Sequence, residues 1–135
     1  IGRPDRSKGE LPMAYVQLKA GAAATSDELL AYSAEHMQER AAVPVEIAII
    51  DQIPITPVGK VFKPALRIDA MKKVAMRTAG EIAGETTKVD VSIDESGKRP
   101  QVILNVHDGD AALLKKLDEA FSTFGFATTI NAAGA

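Results

Sequence analysis

Cysteine is absent from this chain of 135 residues. Its absence excludes disulfide bridges, thiolate metal sites and cysteine nucleophiles, and it suits a reducing compartment, so we expect a cytoplasmic location. No apolar run approaches the roughly 20 residues of a membrane-spanning helix, and no secretory signal pattern is found. A formal charge of −2 gives no electrostatic reason to expect nucleic acid or an anionic membrane as a partner.

The composition is that of a globular protein. The hydrophobic fraction is 46% and the charged fraction is 25%, and the length suits one domain. The chain starts at Ile1 rather than at a methionine and runs into a turn around Pro4 and Asp5. We therefore expect a piece of a larger polypeptide whose N-terminal neighbour is missing. The tail, residues 131–135, has little to bury and is expected to fray.

The hydrophobic periodicity predicts eight elements, with residues 4–12 as a loop. They are a strand at 13–18, a helix from Thr25-Ser26 to about Arg40, a strand at 45–50, a helix from 64 to about 79, strands at 88–94 and 101–106, a helix from Gly109-Asp110 to about 124, and a strand at 126–130. The order β-α-β-loop-α-β-β-α-β predicts an α+β fold, with one small mixed sheet flanked by helices.

The loop between the second strand and the second helix is the most unusual local feature. Pro54, Pro57 and Gly59 prevent regular structure, and Lys60 follows the glycine directly. A lysine held in this way can place a compact positive charge in an anionic site, as phosphoryl and acyl-phosphate chemistry requires. Taken alone, these residues favour the alternative, a turn with a solvated lysine. A Walker A loop is excluded because it needs glycine where Pro54 stands and a hydroxyl residue after Lys60.

This stretch resembles the C-terminal motif of the acyl-adenylate-forming superfamily, which includes acyl-CoA synthetases, luciferases and peptide-synthetase adenylation domains. The matching residues are Pro54, Thr56, Gly59, Lys60, Val61, Phe62, Lys63, Leu66 and Arg67. A second marker of the family stands earlier, as Gly2, Pro4, Asp5, Gly9 and Glu10. The resemblance covers about residues 1–80 and identifies the chain as the C-terminal domain of an AMP-forming acyl-CoA synthetase.

The resemblance implies an enzyme that joins an acid to a thiol in two steps. A carboxylic acid and ATP, with Mg²⁺, give an acyl-adenylate, and coenzyme A then displaces AMP to give a thioester. ATP and Mg²⁺ would be bound mainly by the missing N-terminal domain, over which this mobile domain closes. The isolated chain is expected to be inactive.

The resemblance also implies site residues. Lys60 matches the adenylation lysine, which bridges the acid carboxylate and the ATP α-phosphate, while Thr56 and Gly59 shape its loop. Relatives often carry an aromatic and a basic residue on the coenzyme A side, just before the proline that matches Pro44. This chain departs from that pattern, since residues 41–43 are Ala-Ala-Val, and Arg40 is the candidate that remains.

Other polar clusters receive plainer interpretations. The basic residues of the second helix favour a solvated face over a phosphate-binding one; they are Lys63, Arg67, Lys72, Lys73 and Arg77. His36 is expected to be exposed. The run from His107 to Asp110 contains residue types that often bind metals. A turn with an N-cap aspartate explains it better, so no metal ligand is assigned.

The resemblance places the domain at residues 1–84 and leaves residues 85–135 as an extension, which we expect to pack on the same domain. The extension either stabilises the domain or forms a partner or dimer surface, so a homo-oligomer stays open. Two other functions are kept: an adenylation domain that loads a carrier-protein thiol, and a non-catalytic α+β binding module. The acid cannot be read from this chain, although the Lys60 loop is similar to those of bacterial fatty-acyl-CoA synthetases, which suggests fatty acid metabolism.

Overall fold

The structure is a computed structural model that describes residues 1–133. Its strands are β1 (Gly2–Asp5), β2 (Gly9–Val16), β3 (Glu46–Ile49), β4 (Val89–Asp94), β5 (Gln101–His107) and β6 (Ala127–Ala133). Its helices are α1 (Ser26–His36), α2 (Lys63–Ala83) and α3 (Ala111–Phe121), with a 3₁₀ turn at Arg40–Ala42. The predicted α+β class is confirmed, and the predicted order is correct apart from the added strand β1.

The prediction of one sheet is wrong, because the strands form two. The first sheet has the order β1-β2-β3 and the second the order β4-β5-β6. The residue contacts also divide the chain into two compact units. Unit 1 comprises Ile1–Arg3 and Glu10–Arg67, and unit 2 comprises Pro4–Gly9 and the chain from Ile68 onwards. This division falls inside α2, and the domain boundary at residue 84 stays a prediction.

The sheet of unit 1 is mixed. Strands β2 and β3 are parallel, in a register that pairs Met13 with Glu46. Parallel neighbours need a crossover connection, which α1 supplies. Ile1 and Met13 exchange both of their backbone hydrogen bonds at 2.9 Å, as antiparallel neighbours do. Met13 and Ile47 are buried, so this small sheet has its own apolar centre.

The predicted loop at residues 4–12 is instead the end of β1, a turn and the first part of β2, which together form a hairpin. The Asp5 carboxylate accepts hydrogen bonds from the Ser7 amide, the Ser7 hydroxyl and the Lys8 amide at 2.8–3.1 Å. Gly9 then takes a positive φ of 81°, which glycine adopts without strain. The glycine and aspartate of the early family motif therefore shape a tight turn.

Helix α1 begins as predicted and ends sooner. Thr25 caps it, since its hydroxyl accepts the Glu28 amide at 3.1 Å. The helix stops at His36 rather than near Arg40, because Met37 is extended, with φ −84° and ψ 126°. Arg40 opens the following 3₁₀ turn.

Unit 2 is built around the β4–β5 hairpin, which was predicted. The register runs from Val89 opposite Val106 to Asp94 opposite Gln101, and β6 joins β5 in parallel after the crossover through α3. One face of the sheet packs against helices. The most buried residues of this core are Val102, Leu104, Val106, Leu117 and Phe121 from β5 and α3, with Val74, Ala75 and Ala79 from α2.

Helix α2 runs four residues beyond the predicted end. It continues through Gly80 and closes at Gly84, whose φ of 69° and hydrogen bond to the Gly80 carbonyl terminate the helix. Strand β6 includes residues 131–133, so the prediction of a frayed tail is wrong there; residues 134 and 135 lie outside the described part. Within residues 1–133, no helix is both long and apolar enough to cross a lipid bilayer.

Candidate functional site

The loop that carries Lys60 is a small hairpin of defined geometry within unit 1. The Thr56 amide donates to the Lys60 carbonyl at 2.7 Å, and the Phe62 amide donates to the Pro54 carbonyl at 2.8 Å. Ile55 and Val61 form an isolated antiparallel bridge between these two bonds. Lys60 is therefore held by a backbone ladder and does not lie on an unstructured loop.

The tip of this hairpin follows from its sequence. The Gly59 amide donates to the Thr56 carbonyl at 2.9 Å, which closes a β-turn with Pro57 in the second position. Val58 has no positive φ, as a type I turn requires, and proline favours that turn. Gly59 follows at φ 84°, which completes the bulge typical of three-residue hairpin loops. Glycine is needed for its backbone, because a Cβ there would meet no atom within 4 Å.

Two side chains fix the hairpin. The Thr56 hydroxyl accepts the Lys60 amide at 3.2 Å, so the threonine binds both the amide and the carbonyl of Lys60. Gln17 lies just beyond β2, and its side-chain oxygen accepts the Ile53 amide at 2.8 Å. Sequence reasoning named Thr56 from the family motif but missed Gln17, since a single polar residue 36 positions away carries no local signal.

Lys60 itself is exposed, and within the described residues its ammonium group makes no ion pair. The side chains around it are mainly apolar and also exposed: Ile55, Val58, Val61 and Phe62. Val58 at the tip is 80% exposed. A cation surrounded by apolar side chains would gain strength on meeting an anion in a water-poor site, because the local dielectric constant falls. The arrangement thus fits a charge that docks into another surface.

The other predicted site residue lies apart from this hairpin in the hydrogen-bond network. Arg40 is exposed, and no hydrogen bond or ion pair among residues 1–133 links it to the Lys60 loop. On α2, Lys73 pairs with Asp69 at 3.0 Å in the i, i+4 spacing of a solvated helix face. Thr56, Gly59 and Lys60 are therefore the members of the predicted site that the structure brings together.

The run from His107 to Asp110 serves local structure. Asp110 caps α3 by accepting the Leu113 amide at 2.8 Å, as predicted. His107 Nε2 lies 2.7 Å from an Asp90 carboxylate oxygen across the sheet, and this hydrogen bond lowers the pKa of Asp90. Asp90 was not predicted as a site residue, because its partner is apparent only once the hairpin register is fixed. His36 stacks on Tyr32, with ring centroids 3.9 Å apart.

The described residues fit part of the chemistry that ATP and Mg²⁺ require. Lys60 carries an exposed positive charge with no ion pair among residues 1–133, which is the kind of group that a phosphate or carboxylate binds. Among residues 1–133, however, no group of three histidine, aspartate or glutamate side chains could hold a metal ion.

Comparison with known families tests the family resemblance. The profile described as "AMP-binding enzyme C-terminal domain" matches residues 1–60, and the match ends on Lys60 itself. This chain carries the C-terminal domain of the AMP-forming acyl-CoA synthetases. The two motifs recognised in the sequence, around Pro4 and around Gly59, are thus the turns of two hairpins in this C-terminal domain.

Curated relatives agree with the family. Marinolic acid–CoA ligase of Pseudoalteromonas sp. (strain SANK 73390) is 48% identical over 71 residues, which are 53% of this chain and 11% of the ligase. Acetyl-coenzyme A synthetase of Pyrobaculum aerophilum is 34% identical over 102 residues, which are 73% of this chain and 14% of the synthetase. Probable acyl-activating enzyme 6 of Arabidopsis thaliana is 38% identical over 80 residues, which are 58% of this chain and 14% of the relative.

These figures describe what the C-terminal domain shares with much longer proteins. The chain spans only 11–14% of the length of these relatives. A stretch that covers 73% of 135 residues cannot be placed without including β4, so the similarity to the acetyl-coenzyme A synthetase extends past residue 84. No solved structure matches the chain significantly.

Proposed function

We propose that this domain is the mobile C-terminal part of an ATP-dependent acid–CoA ligase and that it supplies the lysine for acyl-adenylate formation. The main observation in support of this proposal is the placement of Lys60. It stands on a hydrogen-bonded, bulged hairpin, without an ion-pair partner in the described residues, at the position that the family resemblance assigns to the adenylation lysine. A rigid hairpin presents the ammonium group at low conformational cost, as pre-organised electrostatic catalysis requires.

In the first step, a carboxylate oxygen of the acid attacks the α-phosphorus of ATP, and the bond to the pyrophosphate oxygen breaks. Negative charge then builds on the α-phosphate oxygens. Lys60 would donate hydrogen bonds to the carboxylate and to that phosphate, which holds the two anions together and offsets their repulsion. Mg²⁺, bound with ATP by the rest of the polypeptide, would neutralise the other phosphates.

In the second step, the thiol of coenzyme A attacks the acyl carbon, the bond to the phosphate oxygen breaks, and AMP leaves. Lys60 has no assigned role here, and the domain would rotate to remove it from the site. The exposed apolar rim around the lysine supports such docking, since Ile55, Val58 and Phe62 lose contact with water only when the hairpin meets another surface. Coenzyme A is the proposed thiol because the relatives named above include an acid–CoA ligase and an acetyl-coenzyme A synthetase.

The dependence on a second domain is tested by comparing the 135-residue chain with the natural polypeptide that carries it. Both are assayed for acid-dependent exchange of pyrophosphate into ATP over a panel of carboxylic acids. We expect exchange with the natural polypeptide and none with the chain alone. Exchange by the chain alone would overturn the proposal, and so would an upstream region that fails to bind ATP.

A further inference from the structure

Strand β4 has one open edge in unit 2. It pairs with β5 on one side, and within the described residues no strand pairs with its other side. The Lys88 carbonyl accepts the His107 amide from β5, so the alternate residues direct their backbone groups outward. Val89, Val91 and Ile93 therefore offer three amides and three carbonyls to a neighbouring strand.

This edge lacks several of the features that usually prevent pairing, although Asp90 and Asp94 of β4 are charged. Strand β4 has six residues, contains no proline, and runs in register with β5 without a bulge. No charge points inward, since the row formed by Val89, Val91 and Ile93 faces the helices and packs against the core. Natural edge strands generally carry such protective features, and here only the charged residues Asp90 and Asp94 could serve as one.

A groove beside the edge leaves room for additional side chains. It measures about 410 Å³ and lies between α2 and β4. Lys72, Met76 and Ala79 line its α2 side, and Val89 and Val91 line its β4 side. Met76 is 54% exposed there, although other residues of α2 are in the core. A further strand would carry its own inward apolar row beneath Met76 and extend the core.

The side chains of β4 that do not face the core are Asp90, Ser92 and Asp94, and Lys88 just before the strand follows the same alternation. Their charges select one register for the pairing of β4 with a second copy of β4. Antiparallel pairing keeps side chains of the same face opposite each other. In the register centred on Val91, Lys88 meets the Asp94 of the second copy and Asp90 meets Ser92. In the register centred on Ser92, Asp90 would meet Asp94, and two carboxylates directly opposite are unfavourable. Within one chain Lys88 forms an ion pair with Asp90 at 3.8 Å, and Asp94 accepts hydrogen bonds from Ser96 and Gln101. The Lys88 side chain is 74% exposed, so it can leave Asp90 for the Asp94 of the second copy.

We propose that β4 pairs antiparallel with β4 of a second copy of this chain, in the register centred on Val91. The two sheets then form one continuous six-stranded sheet about a twofold axis. Val91 lies opposite its own symmetry mate, and Val89 lies opposite Ile93. All outward backbone groups of these three residues are paired, and two Lys88–Asp94 ion pairs flank the axis. The proposal does not depend on Lys60 or on the proposed reaction.

The register is tested by cross-linking, which the absence of cysteine makes simple. In Val91→Cys, the two sulfurs face each other across a hydrogen-bonded pair, whose Cα separation of about 5.5 Å permits a disulfide. Ile93→Cys is the matched control from the same row. In that variant each sulfur lies opposite Val89 of the second copy, so the two sulfurs do not face each other. We expect mild oxidation to yield a covalent dimer with Val91→Cys and at least tenfold less with Ile93→Cys. Equal yields, or none with Val91→Cys at tens of micromolar, would overturn the proposal.

A charge exchange tests the same register without a covalent bond. Lys88→Asp and Asp94→Lys each oppose like charges at both ends of the interface and should raise the dimer dissociation constant about tenfold. The double variant Lys88→Asp/Asp94→Lys should restore it. Lys98→Asp lies in the turn beyond the strand and is the control, which should leave the dimer dissociation constant unchanged. Sedimentation equilibrium measures the constants, with circular dichroism as a check on folding. A chain that stays monomeric, or a double variant no better than the single ones, would contradict this interface, and a different protein would then cover the edge.

Discussion

Thr56 and Lys60 are joined by two hydrogen bonds, which use two atoms of each residue. Its amide donates to the Lys60 carbonyl at 2.7 Å, and its hydroxyl accepts the Lys60 amide at 3.2 Å. The lysine backbone is thus held on both sides by one residue. This relationship gives the threonine of the family motif a physical role, because it orients the lysine without touching a substrate.

Removing the threonine hydroxyl should therefore weaken catalysis without abolishing it. Thr56→Ala leaves the Lys60 amide to water and loses one neutral hydrogen bond, worth about 1 kcal/mol. We expect pyrophosphate exchange by the natural polypeptide to fall about fivefold. Thr56→Ser keeps the oxygen and is the matched control. Equal rates for the alanine and serine variants would show that the hydroxyl does not position the lysine.

The residues tolerated at position 59 should be limited by backbone conformation rather than by the space available for a side chain. Its φ is 84°, and a Cβ would meet nothing within 4 Å. Gly59→Ala should therefore disfavour the bulged turn by about 1 kcal/mol and reduce exchange. Gly59→Asn should be milder, because asparagine tolerates the left-handed region. If alanine and asparagine have equal effects, side-chain size rather than backbone strain limits this position.

The cap of α3 should contribute to the stability of unit 2. Asp110→Ala removes the acceptor of the Leu113 amide, and we expect it to lower the free energy of unfolding by about 1 kcal/mol. Asp110→Ser preserves a capping oxygen and should recover most of that loss. Urea denaturation followed by circular dichroism measures both. An alanine variant as stable as the parent would contradict the capping role.

Asp94 should titrate below its ordinary pKa of 3.8, because the Ser96 hydroxyl, the Ser96 amide and the Gln101 side chain donate to its carboxylate. A carboxyl group with a lowered folded-state pKa stabilises the fold above its unfolded pKa, and this contribution is lost as the pH falls through the folded value. In Ser96→Ala, we expect the pKa of Asp94 to rise, as measured by NMR titration of the side-chain carboxyl carbon. An unchanged pKa would assign the shift to the other donors.

Much of the fold follows from local sequence signals. The β4–β5 hairpin, the caps at Thr25 and Asp110 and the three helices were predicted from periodicity and capping residues. The hairpin formed by β1 and β2 was missed, because an aspartate that caps a turn resembles ordinary loop composition. The separation into two sheets was also missed. Strand pairing depends on contacts between residues distant in sequence, and alternating residues in a strand do not identify their partner.

The candidate site was also predicted only in part. The sequence predicted the Lys60 loop, and its prolines and glycine explain the turn that the structure contains. The physical pattern alone favoured a solvated lysine, and Lys60 is exposed in the structure. Its role in catalysis is implied by the family resemblance and stays a prediction. Gln17, which holds the start of the loop, could not be predicted, because only the folded chain brings it to the Ile53 amide.

The most direct test of the account is the separation of the two half-reactions in Lys60→Ala. The variant is made in the natural polypeptide that carries this chain, with Lys19→Ala, an exposed lysine of unit 1, as the matched control. One assay follows acid-dependent exchange of pyrophosphate into ATP, and the other follows thioester formation from a pre-made acyl-adenylate. We expect exchange to fall on the order of 10² to 10³-fold or more, while thioester formation survives. Exchange that is unchanged by Lys60→Ala would contradict the lysine assignment.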